Sequence, residues 1–176
     1  MDICSEGVMD IRVSNKGNAQ YTDWGAGERR CAVGSGGIAQ KLREGDGITP
    51  IGTWPLRRVL YRPDRMVSPR CVLPVAPLRP YDGWCDTPSD PDYNTLVRLP
   101  HAGSAESLWR DDHLYDIVVV VGYNDDPVIA GKGSAIFLHL ARANYSPTAG
   151  CVALALPDLL EALAQLAPND KLIVAA

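Results

Sequence analysis

Apolar residues along this chain recur mostly in alternation or in short unbroken runs, and one stretch alone repeats with a helical period. Asp10–Ser14 reads Asp-Ile-Arg-Val-Ser, the alternation of a half-buried strand. Arg30-Cys31-Ala32-Val33 predicts a second strand, stopped by Gly34-Ser35-Gly36-Gly37, where glycine permits positive φ without steric cost. That cluster lacks GxxxxGK[ST], and no helix signal follows it, so it reads as a turn rather than a phosphate loop. Residues 44–54 form a turn-rich segment that enters a strand over Thr53–Leu60. Tyr115–Val121 is β-branched and apolar on both faces, which predicts a central place in a sheet. Ser134–Leu140 predicts another buried strand, delivering His139 to the sheet edge, and Lys171–Ala175 predicts the last one. Helical spacing appears at Leu159, Leu160, Leu163 and Leu166, opened by Pro157 and running to Ala167. Between Arg62 and Leu99 prolines are frequent and periodicity is weak, which predicts a long ordered loop region with short strands, its Tyr81, Trp84 and Tyr93 packed rather than disordered. The balance is mostly β with one or two helices.

With 176 residues the chain suits one domain, residues 1–176, able to bury a sizeable core. A net charge of −4 without a dense basic stripe argues against a nucleic-acid partner. The arginines at 57, 58, 62, 65 and 70 are interrupted by Pro63, Asp64 and Pro69 and read as a solvated loop. The apolar run Ile117–Val121 is too short to span a bilayer, so no membrane partner is expected. Met1-Asp2-Ile3-Cys4-Ser5-Glu6 has neither a basic nor an apolar signal region, so with Met1 as natural start the expected compartment is the cytosol; a start further upstream would allow the periplasm. The five cysteines (Cys4, Cys31, Cys71, Cys85, Cys151) are then expected as thiols. No CxxC occurs, and His101, His113 and His139 fit no ligand pattern such as HExxH, so neither a metal nor another cofactor is expected.

One constellation carries chemistry. His139 ends an apolar strand, and Cys151 follows the tight turn Thr148-Ala149-Gly150 twelve positions later. A thiol attacks as thiolate, and a histidine within reach can take its proton and return it to a leaving amine. Gly150 lets the backbone approach closely, so N–H groups around Cys151 could face a developing oxyanion. A cysteine between Gly150 and Val152-Ala153-Leu154 equally fits a buried small hydrophobe, and spacing alone leaves both readings open.

The run from His139 to Thr148-Ala149-Gly150-Cys151-Val152 resembles the signature of the YkuD-type L,D-transpeptidases, a histidine before Ser/Thr-x-Gly-Cys-aliphatic. Gly45-Asp46-Gly47-Ile48-Thr49-Pro50-Ile51-Gly52 resembles that family's GD-x-x-TP-x-G segment. Gly83-Trp84-Cys85-Asp86, Pro91-Asp92-Tyr93-Asn94, Leu108-Trp109-Arg110-Asp111 and Gly122-Tyr123-Asn124 look like its compact single-domain branch, and the likeness spans residues 10–175. The resemblance implies a mostly β, sandwich-like domain with one or two short helices. It implies Cys151 as nucleophile, His139 as base, Thr148 and Gly150 shaping the turn, and the amides of Gly150 and Cys151 serving the oxyanion. The family often has an arginine two residues after the cysteine; Ala153 stands there, and Arg142 is the candidate replacement. Trp84, Cys85 and Asp86 either line the cleft or pack, and Tyr123 and Asn124 either bind substrate or cap a strand. Cys85 as an alternative nucleophile is disfavoured, with no histidine close in sequence and no Gly-Cys turn. His113 is expected on a backbone carbonyl, and His101 shows no chemistry. The implied reaction is acyl transfer on a peptidoglycan stem peptide or muropeptide at the diaminopimelate–D-alanine bond. The expected acceptor is water, an L,D-carboxypeptidase in wall recycling; a cross-linking or D-amino-acid-exchanging transpeptidase is the alternative, and a non-catalytic peptide-binding module on the same fold is the alternative of another class.

Overall fold

The computed structural model describes residues 9–176, so Cys4 and the rest of the N-terminal segment lie outside the described residues. The strands are β1 (Ile11–Lys16), β2 (Ala19–Asp23), β3 (Arg29–Ala32), β4 (Ile38–Ala39), β5 (Thr49–Pro50), β6 (Gly52–Tyr61) and β7 (Val75–Pro77). They continue as β8 (Asp82–Cys85), β9 (Leu96–Arg98), β10 (Ala105–Ser107), β11 (Ile117–Val121), β12 (Phe137–Leu140), β13 (Val152–Leu154) and β14 (Lys171–Val174), with a helix, α1 (Leu156–Gln165), before the last. The long strands fall where alternation predicts them, and the 62–99 region holds β7, β8 and β9 as short pieces. Among the described residues α1 is the one α-helix, and no helix is long and apolar enough to cross a membrane.

The main sheet runs β11-β12-β13-β3-β2-β1-β14-β6-β7, and β11 also pairs with β6. Those pairings close a circuit, so the two walls expected of a sandwich belong to one curled sheet. β11 sits at the closure, antiparallel to β12 through Val119↔Leu138 and to β6 through Val119↔Val59. Its unbroken Val/Ile run follows from that position, because both faces are covered. Ile117, Val119 and Val121 enter one core with Ile11, Val13 and Leu172, and α1 closes it with Leu159, Ala162 and Leu163. α1 lacks a side-chain N-cap and is held by this buried stripe, with Pro157 at its first turn. Val118 and Val120 enter a second core with Leu78, Trp84, Leu108 and Phe137, built over the sheet by the small antiparallel sheet β10-β8-β9.

The same alternation governs the strands that carry the site. Leu138 and Leu140 of β12, with Val152 and Leu154 of β13, belong to the first core, whereas Phe137 and Cys151 belong to the second. His139 therefore shares the outer face with Phe137 and Cys151, because side chains two apart on a strand point the same way. Leu138 is 0% exposed directly behind that face. Leu138→Ala is expected to cost about 2–5 kcal/mol of stability in chemical denaturation; a loss below about 1 kcal/mol would contradict the core assignment.

Candidate active site

β12 and β13 pair in parallel with Leu138↔Val152, His139↔Ala153 and Leu140↔Leu154 in register. Cys151 lies two residues before Ala153, so it stands diagonally across from His139 on the same face. Both side chains line one cavity of about 420 Å³. His139 Nδ1 lies 2.9 Å from the Leu140 carbonyl oxygen. A carbonyl can only accept, so Nδ1 carries the proton and Nε2 keeps a free lone pair. Tyr115 stacks edge-on against the imidazole, ring centres 5.1 Å apart. The Cys151 thiol donates to the Ala135 carbonyl at 3.2 Å, and the Phe137 N–H donates to its sulfur at 3.4 Å.

Two threonines clamp the cysteine turn. Thr148 Oγ1 donates to the Cys151 carbonyl at 2.6 Å and accepts the Gly150 N–H at 3.1 Å. Thr49 Oγ1 donates to the Gly150 carbonyl at 2.8 Å and accepts the Gly34 N–H at 2.8 Å. The glycine cluster after β3 thus serves as the floor of this turn: a Cβ on Gly34 would fall 2.0 Å from the Gly47 carbonyl oxygen. Gly150 has φ +142, a backbone conformation that side-chain-bearing residues rarely adopt. Asp46 holds the neighbouring loop by accepting from Lys41 at 2.6 Å and from the N–H groups of Leu42, Arg43 and Ile48. Burial works to raise the Asp46 carboxyl, yet the Lys41 ammonium and these three N–H groups hold it well below the usual carboxylate range.

Burial dominates the electrostatics of the pair. It pushes the Cys151 thiol up to about 12, aided by the nearby Glu106 charge, against the Phe137 N–H and Lys41, which favour thiolate. Burial also lowers His139 to about 4, opposed by its bond to Leu140 and reinforced by Arg110 and Arg142. Both groups are therefore neutral at pH 7, a thiol beside an imidazole base.

The remaining expected residues are dispersed. Asp86 lines the cavity, while Trp84 is buried in the second core, donating to Asn94 Oδ1 at 2.9 Å and meeting Phe137 edge-on. Tyr123 and Asn124 line a separate groove of about 620 Å³ with Trp54, and Asn124 donates to the carbonyls of Ile129 and Gly133. Arg142 is exposed and lines a third groove beside His113, whose Nε2 lies 3.3 Å from the Ala141 carbonyl. Ala153, 1% exposed, fills the position in register with His139. Another arginine acts on His139 from a fixed place: Arg110 is forked onto Asp112 at 2.8 and 2.7 Å and sits 5.1 Å over the Tyr115 ring. Lys41, Glu44, Glu106, Tyr115 and Ser134 also line the cavity; Tyr115 and Ser134 stand at the heads of the two apolar runs, while Lys41, Glu44 and Glu106 carry no local pattern that marks them for a site. Among the described residues one group of metal-type donors gathers, Cys85, Asp90 and His101, with ligand atoms within 4.8 Å of one another; His101 Nε2 already lies 3.1 Å from Asp90 Oδ2. The described cysteines, Cys31, Cys71, Cys85 and Cys151, are all free.

Two outcomes follow from this geometry. His139 binds its proton only near pH 4 when folded, against an ordinary value of 6.5, so the unfolded chain holds more protons in between. Its contribution to stability is complete above the ordinary value and is lost as pH falls toward 4, by up to about 3 kcal/mol. The slope of unfolding free energy against pH in that window is expected to flatten in His139→Gln; an unchanged slope would contradict a buried neutral imidazole. Thr49→Val, which leaves the Gly34 N–H and Gly150 carbonyl without their partner, is expected to lose about 1–3 kcal/mol of stability, with Thr49→Ser retaining most of it.

No curated protein matches the chain, and no solved structure matches it. The family described as the L,D-transpeptidase catalytic domain, YkuD, matches residues 10–174, and with that span covering every strand among the described residues, the chain belongs to this family.

Proposed function

We propose that the chain cleaves the diaminopimelate–D-alanine bond of peptidoglycan stem tetrapeptides, with Cys151 as nucleophile, His139 as general base and water as acceptor. Membership of the family makes its chemistry L,D-transpeptidase-type catalysis on peptidoglycan peptides. The observation that carries the roles is the placing of Cys151 and His139 on one face of adjacent parallel strands, lining one cavity, with the imidazole fixed through Nδ1.

The thiol proton passes to His139 Nε2 as the sulfur bonds to the carbonyl carbon. The tetrahedral oxyanion faces the Cys151 amide; the Gly150 amide is already held by Thr148 Oγ1 and belongs to the turn. The C–N bond breaks, the imidazolium returns its proton to the departing D-alanine amine, and a thioester remains on Cys151. Water then attacks the thioester, giving its proton to His139, and the tripeptide leaves as the thiol is restored.

Hydrolysis is favoured over cross-linking by the size of the cavity. At about 420 Å³ it lies near the lower end of small-ligand clefts and suits the end of one stem better than two stems meeting at the sulfur. The free thiols of the described cysteines suit a reducing compartment, and muropeptide recycling in the cytosol accords with that. A peptide-binding module without turnover is the second reading, favoured by one observation: thiol and imidazole are both buried and neutral.

Incubation with a purified disaccharide-tetrapeptide separates these readings. The expected product is the tripeptide, with Cys151→Ala slowed on the order of 10³-fold or more. Peptide dimers or D-amino-acid exchange would assign the transpeptidase reaction instead, and tight binding without turnover would assign the module.

A further inference from the structure

Three carboxylate side chains and a single ammonium line the cavity that holds Cys151: Glu44, Asp86 and Glu106 against Lys41. The ammonium is already paired, since Lys41 Nζ lies 2.6 Å from Asp46 Oδ1 with its side chain 3% exposed. Glu44 accepts the Tyr93 hydroxyl, and Glu106 Oε1 accepts the Tyr115 hydroxyl at 2.6 Å. Two oxygens differ. Asp86 Oδ1 is buried with no hydrogen-bond partner, and so is Ser134 Oγ, on a residue only 7% exposed. Buried polar atoms are satisfied in the great majority of cases, so two orphans on residues that line one cavity point to a donor that enters there. The carboxylates also crowd one another: burial first, then the charges of Asp86 and Glu44, push the Glu106 carboxyl up, against the Tyr115 bond and Arg110. A cation would relieve that crowding, and three hydrogen-bond donors would meet the acceptors.

We infer that Asp86, Glu106 and Ser134 Oγ form a subsite for a primary ammonium carried by the substrate, the side-chain amine of the diamino acid whose carbonyl Cys151 attacks. The inference rests on the function proposed above, because attack at that residue brings its side chain into the same cavity as the sulfur. An alkylammonium presents three N–H donors, and the unpartnered Asp86 Oδ1, the unpartnered Ser134 Oγ and the second oxygen of Glu106 are acceptors for them. A charge-assisted bond of this kind orients the stem as well as holding it. The subsite accepts lysine, ornithine or diaminopimelate side chains and rejects an acetylated amine, which brings no charge and fewer donors. Glu106 opposes thiolate formation at Cys151, so the ammonium also offsets that opposition as the sulfur attacks, and its loss lowers kcat together with raising KM.

The test uses two tetrapeptides that differ only in a free or acetylated side-chain amine at the third residue. Binding to Cys151→Ala by calorimetry is read first, since it needs no turnover; kcat/KM for D-alanine release by the unaltered enzyme is read second. The free amine is expected to be preferred on the order of 10²-fold in each readout. Asp86→Asn and, separately, Glu106→Gln, each alone and combined with Cys151→Ala, are expected to shrink the preference to about 10-fold or less, mainly through the free-amine peptide. Equal binding of the two peptides overturns the subsite, as does a preference unchanged in both carboxylate variants. Preferential binding of the free amine without turnover upholds the subsite while overturning the hydrolase reading. Should either variant fail to fold, the other variant and the comparison of the two peptides on the unaltered side chains still decide the matter.

Discussion

The structure depends on a single pairing, the parallel register of β12 with β13. Parallel strands place residues of matching parity on the same face, and here one parity is entirely apolar: Leu138, Leu140, Val152 and Leu154 are locked into the core that α1 closes. The other parity is then obliged to face outward, and it carries His139 and Cys151. A slip by one residue would bury the imidazole among leucines and expose the core. The hydrophobic effect that sets the register therefore also sets the geometry of the site, with no dedicated interaction between the two reactive side chains. Turn geometry does the rest. Gly150 at φ +142, with Thr148 on one side and Thr49 on the other, fixes where the chain enters β13 and so where the sulfur begins.

Burial gives this site a particular electrostatic character. Burial around the sulfur keeps the thiol protonated, and burial around His139 keeps the imidazole neutral. A neutral imidazole with its Nδ1 proton tied to a backbone carbonyl is already a base, and no preformed ion pair is needed for it to act. In place of the side-chain carboxylate or amide that often orients such a base, a main-chain oxygen does so. The acidic wall of Asp86 and Glu106 then makes the site unfavourable for negative charge at the sulfur.

The legible parts of this molecule were those written locally. β11 could be read because a β-branched run buried on both faces looks alike wherever it occurs, β12 because Ile136, Phe137, Leu138 and Leu140 form a short, dense apolar run, and Leu159, Leu160, Leu163 and Leu166 announce α1 by their spacing. That Cys151 and His139 meet at one cavity could be expected because their turn and strand lie within one continuous segment resembling a known family. The strands β4, β5 and β7–β10, two to four residues long, follow from partners elsewhere in the sequence and leave no period to detect. Lys41 and Asp46 look like surface charges until the fold buries them against each other, and Glu106 and Ser134 acquire meaning only from the cavity they enter. Arg142 is near His139 in sequence and acts on its field, and Arg110 joins it from the segment before β11, a contribution that sequence distance hides. Tyr123 and Asn124 turn at the end of β11 into a groove of their own. The donors of Cys85, Asp90 and His101 were likewise hidden, since their meeting depends on how the segments around β8 and β10 return on one another.

The central claim is that Cys151 carries the acyl group while His139 moves the proton. Intact-protein mass spectrometry of enzyme quenched in acid during tetrapeptide turnover tests it most directly. A covalent adduct with the mass of the acyl tripeptide, mapped to the peptide containing Cys151 and accumulating at the expense of free enzyme, is the predicted result. Turnover without any adduct at Cys151, or an adduct carried by Cys85, would contradict the account.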